Sequence, residues 1–377
     1  MAAVSDILVI GGGIAGLSGA AAMAANGSVL LLEAESQTGF HASGRSATMF
    51  HYALGNALVR RLTQASRATF DSPPEDFGDT ALGRRTTLLV HGRASERDDL
   101  DRAAEAMAPF AEVESLDEAG LKALCPLLKV GGDGSAAGLA DVDCIRIDQH
   151  ALMQGYVRQL RSRGGRITAG TRVVGIARQG GVWRVTSETG EGFEAPILVN
   201  AAGPWADEIA RLAGVTPIGI TPLRRTIITF DAPAGTDLEH LPFTKTVNDE
   251  LYFGAESGRL FASPMDEEPS DPCDSQPDEI GVATAAWRME DRTRAAVGAV
   301  RAKWSGLRTF TPDRNPAVGF APGAEGFFWL AGQGGAGLQT APALSSIAAA
   351  LVEQRPSPIS GVDASVLDPG RFIGKAA

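Results

Sequence analysis

The chain opens on a short apolar run, Ile7 to Ile10, followed by a glycine-rich stretch, Gly11 to Gly16, a small-residue segment, Leu17 to Ala25, and a second apolar run, Val29 to Leu32. This order predicts a strand, a tight turn, a helix and a strand, that is, a βαβ unit. Strands that are continuously apolar rather than alternating belong to a parallel sheet covered on both faces. Ile7 to Leu32 carries no charged side chain and by count alone is long enough to span a bilayer. Its six glycines, its Ser18, Asn26 and Ser28, and the flanking Asp6 and Glu33 argue against both a membrane span and a signal peptide.

Further along, Leu58, Leu62, Ala65 and Phe70 fall at helical spacing with Arg60, Arg61 and Arg67 between them. They predict an amphipathic helix over Asn56 to Phe70, ended by Ser72-Pro73-Pro74. Ala81 to Val90 reads as a strand, and Ser95 to Phe110 and Ser115 to Leu124 as helices, the second with a capped start at Ser115, Asp117 and Glu118. A second α/β passage follows: a helix over Ile147 to Arg163, strands at Arg166 to Thr168 and Trp183 to Thr186, and a buried strand at Ile197 to Asn200. Pro222 to Pro264 is rich in β-branched and aromatic residues and predicts two or more antiparallel strands. Glu267 to Pro277 is a polar loop, Gln276 to Arg292 is helical, and Gly332 to Gly337 opens a small-residue helix to about Glu353.

At 377 residues the chain holds two to three domain-sized units, or two domains that share it. With 44% hydrophobic and 21% charged residues it has the composition of a folded globular protein. The 45 acidic and 34 basic side chains give a net charge of −11, which repels phosphate backbones and removes nucleic acid as a partner. Cys125, Cys144 and Cys273 are isolated, unlike a metal knuckle or a disulfide framework, and fit a reducing cytoplasm. Neither a Ser-His-Asp arrangement nor metal-ligand spacing is found.

The first chemistry-bearing motif is Gly11-Gly12-Gly13-Ile14-Ala15-Gly16, a GxGxxG placed after a strand and at the start of a helix. Gly11 allows the turn, Gly13 lets the backbone approach a pyrophosphate, Gly16 permits close helix packing, and the helix N-terminus supplies N–H donors. Glu33, 22 positions after Gly11 and followed by Ala34, is placed to accept from ribose hydroxyls and disfavours a 2′-phosphate. The pattern predicts dinucleotide binding.

Gly39-Phe40-His41-Ala42-Ser43-Gly44-Arg45-Ser46-Ala47, then Val199-Asn200-Ala201-Ala202-Gly203-Pro204-Trp205, then Gly332-Gln333-Gly334-Gly335-Ala336-Gly337 resemble, in order and spacing, the flavin-binding segments of the D-amino-acid oxidase superfamily. Asn200 to Gly203, Trp304-Ser305-Gly306-Leu307-Arg308 and Glu325-Gly326-Phe327-Phe328-Trp329 are most similar to bacterial D-arginine dehydrogenases. The resemblance implies an α/β fold with a Rossmann-like, GR2-type FAD-binding domain and an interleaved α+β substrate domain built on a mostly antiparallel sheet. It divides the chain into 1-78, 139-214 and 309-377 for FAD and 79-138 and 215-308 for the substrate. FAD is expected to thread past Gly11, Gly13, Ala15, Gly16, Glu33 and Ala34 at its ADP half and Val173 near adenine. Ala42, Ser43, Gly44, Arg45, Ser46 and Ala47 surround the isoalloxazine and phosphates, with Gly203, and Gly332, Gly334, Gly335, Gly337 and Leu338 lie by the flavin. A helix N-terminus aimed at the flavin would stabilise the negative charge that builds on reduction. Relatives with covalent flavin attach it through a cysteine near the segment that is Gly306 to Arg308 here; none stands there, so FAD is expected to be noncovalent.

The resemblance also maps Arg225, Tyr252 and Arg308 onto carboxylate-binding positions. A guanidinium binds a carboxylate bidentately and stays charged at any working pH. Arg224 and Arg225 are adjacent, so on a strand they point to opposite faces and one alone serves the site. Where D-arginine dehydrogenases hold their cationic side chain with a glutamate, a tyrosine and a histidine, this chain has Leu88, Leu54 and Met49. A pocket lined by these and Gly335 would leave a cation unpaired and so implies a neutral or apolar substrate side chain; the three are equally residues that a plain core takes. His51 stands just beyond the flavin loop, either ordering water there or lying at the surface. The implied reaction is oxidative deamination of a D-amino acid, with hydride passing from Cα to flavin N5. An N-methyl or cyclic amino acid, a 2-hydroxy acid, and a flavin-binding assembly factor without turnover are the alternatives. The electron acceptor is oxygen or a quinone; Gly258 to Ala262 offers none of the lysine that sarcosine oxidases set above the flavin, which favours a dehydrogenase.

Overall fold

Alternate residues of the first long strand, Ile7–Ile10, enter two different cores. Ile7 and Val9 pack with side chains of the helices Ile14–Met23, Gln149–Ser162 and Gly337–Val352, while Leu8 and Ile10 meet Trp183, Val185 and Phe193. That is the two-residue period of a strand covered on both faces, and it explains why the run is apolar throughout. The computed structural model describes residues 3–373. Residues 1–2 and 374–377, the outermost ends of the expected FAD-binding segments, lie outside them.

Ile7–Ile10 sits inside a six-stranded sheet ordered Ala317–Phe320, Phe327–Ala331, Ile197–Asn200, Ile7–Ile10, Val29–Leu32 and Arg166–Thr168. All pairings are parallel except the one between Ala317–Phe320 and Phe327–Ala331. The turn into the first helix is tight enough to demand its glycines. Gly11 has φ +107°, and a Cβ on Gly16 would come within 1.8 Å of the Gly11 carbonyl oxygen. The other face is covered by a sheet of Ala3–Val4, Gly192–Ala195, Val182–Ser187 and Val173–Gln179, together with the helix Ala206–Leu212.

The second large sheet has ten strands and is antiparallel apart from one pairing, Phe243–Thr246 on Gly83–Gly92. Its order runs Glu268–Pro269, Thr221–Phe230, Arg259–Ser263, Tyr252–Glu256, Phe243–Thr246, Gly83–Gly92, Ala137–Ile147 and Met49–Phe50. Val300–Phe310 adds to Thr221–Phe230 and Glu114–Leu116 to Ala137–Ile147. Met49–Phe50 and most of Ala137–Ile147, assigned by the sequence division to the FAD-binding part, therefore hydrogen-bond into the other sheet.

Two predicted helix starts shift for one reason. Asp117 accepts from the Gly120 N–H and Asp148 from the Ala151 N–H, so the helices are Glu118–Leu124 and Gln149–Ser162. Ser115 and Ile147 accordingly belong to strands. Among the described residues no helix is long and apolar enough to cross a membrane, and Ile7 to Leu32 is divided into strand, helix and strand.

Candidate active site

Two adjoining cavities run along the carboxyl ends of the parallel strands and continue towards the ten-stranded sheet. They share Gly13, Ala42, Ser43, Ala201, Gly203 and Pro204, which makes them one elongated trough. Ligands of open α/β sheets lie at this end of the strands. The outer part is lined by Gly11, Glu33, Ala34 and Val173, and the inner part by Ala15, Arg45, Ser46, Ala47, Gly334, Gly335, Gly337 and Leu338. Glu33, at the end of its strand, accepts from the N–H groups of Gly12 at 2.6 Å and Glu35 at 2.8 Å, which fixes its carboxylate in the outer cavity.

Three residues expected at the cofactor line neither cavity. Gly16 serves the helix turn, a Cβ on Gly44 would strike the Gly39 carbonyl oxygen at 2.4 Å, and Gly332 is held against Thr311 with φ +78°. They shape the loops rather than face the trough. Arg45 lines the trough, but its guanidinium is committed to Asp274 and to the carbonyl oxygens of Ser275 and Ser305, tying the flavin loop to the ten-stranded side.

The inner cavity brings together Arg225, Arg308, Tyr252, His51, Met49 and Leu54. Arg225 comes from Thr221–Phe230 and its Nε donates to the Asp266 carbonyl oxygen at 2.9 Å; its guanidinium carbon lies 5.8 Å from the Tyr252 ring centre. Arg224 turns the other way, to Asp278, as adjacent strand residues must. Arg308 comes from the neighbouring Val300–Phe310, donates to Glu267 at 2.9 Å and leaves its buried Nε without a partner. Burial, then the charge of Arg225, draws its pKa down to about 10, with Glu267 acting the opposite way, so it remains cationic at neutral pH.

Leu88 is the correction. It is fully buried, pairs in register with Phe243 and packs among Val90, Phe243, Tyr252 and Phe261, so it supports the cavity from behind without lining it. The last five residues of Gly83–Gly92 are buried on both faces, which leaves Leu88 nowhere else to point. His51 is buried, not at the surface. Desolvation first, then the charges of Lys245 and Arg60, pull its pKa to about 3, so its ring is neutral at ordinary pH.

Lys245 and Gln333 also line the inner cavity, and Glu267 stands at its mouth; none was singled out from the sequence. A lone lysine in the apolar strand Phe243–Thr246 was the available signal for the first. For Glu267, in an acidic loop, there was none.

The trough fits an elongated dinucleotide. Its floor is a glycine turn at a helix start, an acid stands at the outer end, and the buried His51 Nδ1, Arg308 Nε and Gln333 Nε2 at the inner end lack partners among the described residues. Comparison with known proteins agrees. A 175-residue stretch is 31% identical to FAD-dependent oxidoreductase domain-containing protein 1 of Bos taurus, covering 42% of this chain and 36% of that protein. Hydrogen cyanide synthase subunit HcnC of Pseudomonas aeruginosa is 23% identical over 399 residues, 94% of each chain. The crystal structure of glycine oxidase from Geobacillus kaustophilus superposes with a TM-score of 0.84 at 21% identity, over 99% of this chain and all of that one. Residues 6–351 match the family model DAO, FAD dependent oxidoreductase; the chain belongs to that family, and its cofactor is FAD.

Proposed function

We propose that this protein oxidises a D-amino acid at its α-carbon, with the substrate carboxylate held by Arg225, Arg308 and Tyr252. The observation that carries the reading is the convergence of these three side chains from three strands in the cavity that Gly334 and Gly335 also line. The finer resemblance to D-arginine dehydrogenases supports the D-configuration. The six-stranded part would hold FAD, which is noncovalent in this reading: Cys125 and Cys144 are buried elsewhere and Cys273 lies outside the trough. When bound, FAD supplies the two-electron acceptor for the C–H bond.

The residues of the chain do the rest. Two guanidiniums fix the carboxylate and hence the α-carbon, and desolvation strengthens their hold. Neutral His51 adds no charge of its own, and its unpartnered Nδ1 is suited to a water or an amine hydrogen. A cationic substrate side chain would meet Lys245, so the basic substrates of the D-arginine dehydrogenases are disfavoured. For the acceptor, the absence of lysine from Gly258 to Ala262 supports a dehydrogenase passing electrons to a quinone. Lys245 enters the cavity from another strand and supports an oxidase as the second reading. The three free cysteines support a reducing, cytoplasmic compartment.

The test is an anaerobic flavin spectrum with D-amino acids, their L-enantiomers, N-methyl amino acids and 2-hydroxy acids added in turn. Bleaching by D-amino acids is expected. Bleaching confined to another class transfers the clamp to that substrate, and no bleaching by any of them favours a flavin protein without turnover.

A further inference from the structure

Among the described residues, the inner cavity is lined by four cations, Arg45, Arg225, Lys245 and Arg308, and by no carboxylate side chain. Arg45 is taken up by Asp274 and two carbonyl oxygens, and Arg225 and Arg308, which Glu267 approaches from the mouth, are answered by one substrate carboxylate. Lys245 is answered by neither of these. Its side chain is 7% exposed, and its one ion-pair partner among the described residues is Asp249, whose carboxylate is 63% exposed in the turn that follows. A lysine is rarely buried this far without a firm partner, and a largely solvated aspartate is a weak one.

Lys245 is directly opposite Tyr252 in the strand register, and the Tyr252 ring lies beneath Arg225 at 5.8 Å. Directly paired residues of neighbouring strands have Cβ atoms about 5 Å apart. Lys245, Arg225 and Arg308 line the same two adjoining cavities, so the lysine and the carboxylate clamp face one shared space. A second anion on the substrate side chain would enter that space.

We propose that Lys245 recognises a second carboxylate on the substrate, so that the enzyme prefers an acidic D-amino acid to its uncharged counterpart. The proposal rests on the D-amino-acid reading above and replaces the neutral side chain expected from the sequence. It turns a buried cation that a neutral substrate would leave with the solvated Asp249 alone into the specificity-determining group, and it works with the exclusion of basic substrates.

The experiment compares anaerobic flavin reduction by D-aspartate and D-glutamate with that by D-asparagine and D-glutamine, in the wild type, Lys245→Met and Lys245→Arg. A charge-assisted pair predicts an acid-to-amide ratio in the second-order reduction rate of about 10 to 100 for the wild type. Lys245→Met should collapse the ratio to about 1 and Lys245→Arg should keep most of it. Flavin content and melting temperature identify a variant that has lost its fold. In parallel, succinate and propionate are titrated into the oxidised holoenzyme and followed by the flavin difference spectrum; tighter binding of succinate, lost in Lys245→Met, is expected. This binding arm holds even if no D-amino acid reduces the flavin, an outcome that would fault the broader reading alone. Equal rates for acid and amide with equal binding of succinate and propionate would overturn the proposal. So would a Lys245→Met variant that keeps the ratio and loses only its reoxidation by oxygen.

Discussion

The Glu267 carboxylate accepts from the Arg308 guanidinium at 2.9 Å, and the same carboxylate takes Arg314 at 2.9 and 3.1 Å and lies 3.8 Å from Arg225. Burial alone would raise its pKa, but Arg314 and Arg308 together hold it below the usual carboxylate range, so it is ionised at neutral pH. The chain thus presents a carboxylate of its own to the arginines that we assign to the substrate. An incoming carboxylate shares Arg308 with Glu267 or displaces it.

Glu267→Gln should therefore tighten the binding of a simple monocarboxylate. Its side chain is 37% exposed, so screening limits the gain to about 3- to 10-fold. Titration of acetate against the oxidised flavin spectrum reads it directly. Weaker binding in the variant would instead make Glu267 the residue that orients Arg308.

Arg308→Ala removes a largely buried guanidinium and leaves the substrate carboxylate with Arg225, whose Nε is already given to the Asp266 carbonyl oxygen. Truncation of one partner in a buried charge pair costs about 2–5 kcal/mol, which is roughly 30- to 4000-fold in the second-order rate of flavin reduction. Arg308→Lys should recover only part, because an ammonium lacks the planar fork. A variant that reduces as fast as the wild type removes Arg308 from the substrate site.

What could be read in the sequence was local. Ile7 to Leu32 and Gly332 to Glu353 carry their instructions within about 25 residues, as glycine turns beside apolar runs, and both form as read. The opposite aim of Arg224 and Arg225 also followed from the strand period alone. Two long strands escaped. Val300–Phe310 is exposed over its first half, with Arg301 and Lys303, and buried over its second, so no single period runs through it. Ala137–Ile147 mixes Asp141 and Asp143 into an otherwise apolar run. The placement of Leu88 and Lys245 is not legible locally, because which strand residue faces the cavity depends on pairings about 50 to 155 positions apart, as between Leu88 and Phe243. The location of Glu267 beside Arg308 depends in the same way on the fold of a loop against another strand.

Stability should fall with acid well before the carboxylates titrate. His51 and His91 are buried, and desolvation, reinforced by Lys245 at the first and Arg292 at the second, holds each pKa near 3 against an ordinary 6.5. Between these values the unfolded chain binds protons that the fold refuses, so unfolding free energy rises with pH and is lost as pH drops below 6.5. Each histidine contributes about 1.4 kcal/mol per pH unit there. His91→Asn, which keeps a partner for Ser135, should roughly halve the slope in urea unfolding between pH 6.5 and 5. An unchanged slope would mean that His91 gains a proton in the fold.

Gly11 and Gly13 stand two residues apart and should fail in different ways. Gly11 has φ +107°, and an added Cβ would lie 2.4 Å from the Ala201 carbonyl oxygen, so Gly11→Ala strains the fold with or without cofactor. Gly13 has extended backbone that alanine adopts freely, and its added Cβ would meet only the Ser43 Oγ, at 3.3 Å. Its methyl would instead project where the two halves of the trough join. Gly13→Ala should accordingly keep the melting temperature of the flavin-free protein within a few degrees while FAD affinity drops about 10- to 100-fold, the range expected for overpacking a close contact. Equilibrium dialysis against FAD with thermal unfolding of the apoprotein separates the two. Retention of FAD at wild-type affinity in Gly13→Ala would route the dinucleotide away from this junction, whereas joint loss of flavin and fold would make Gly13 a second Gly11.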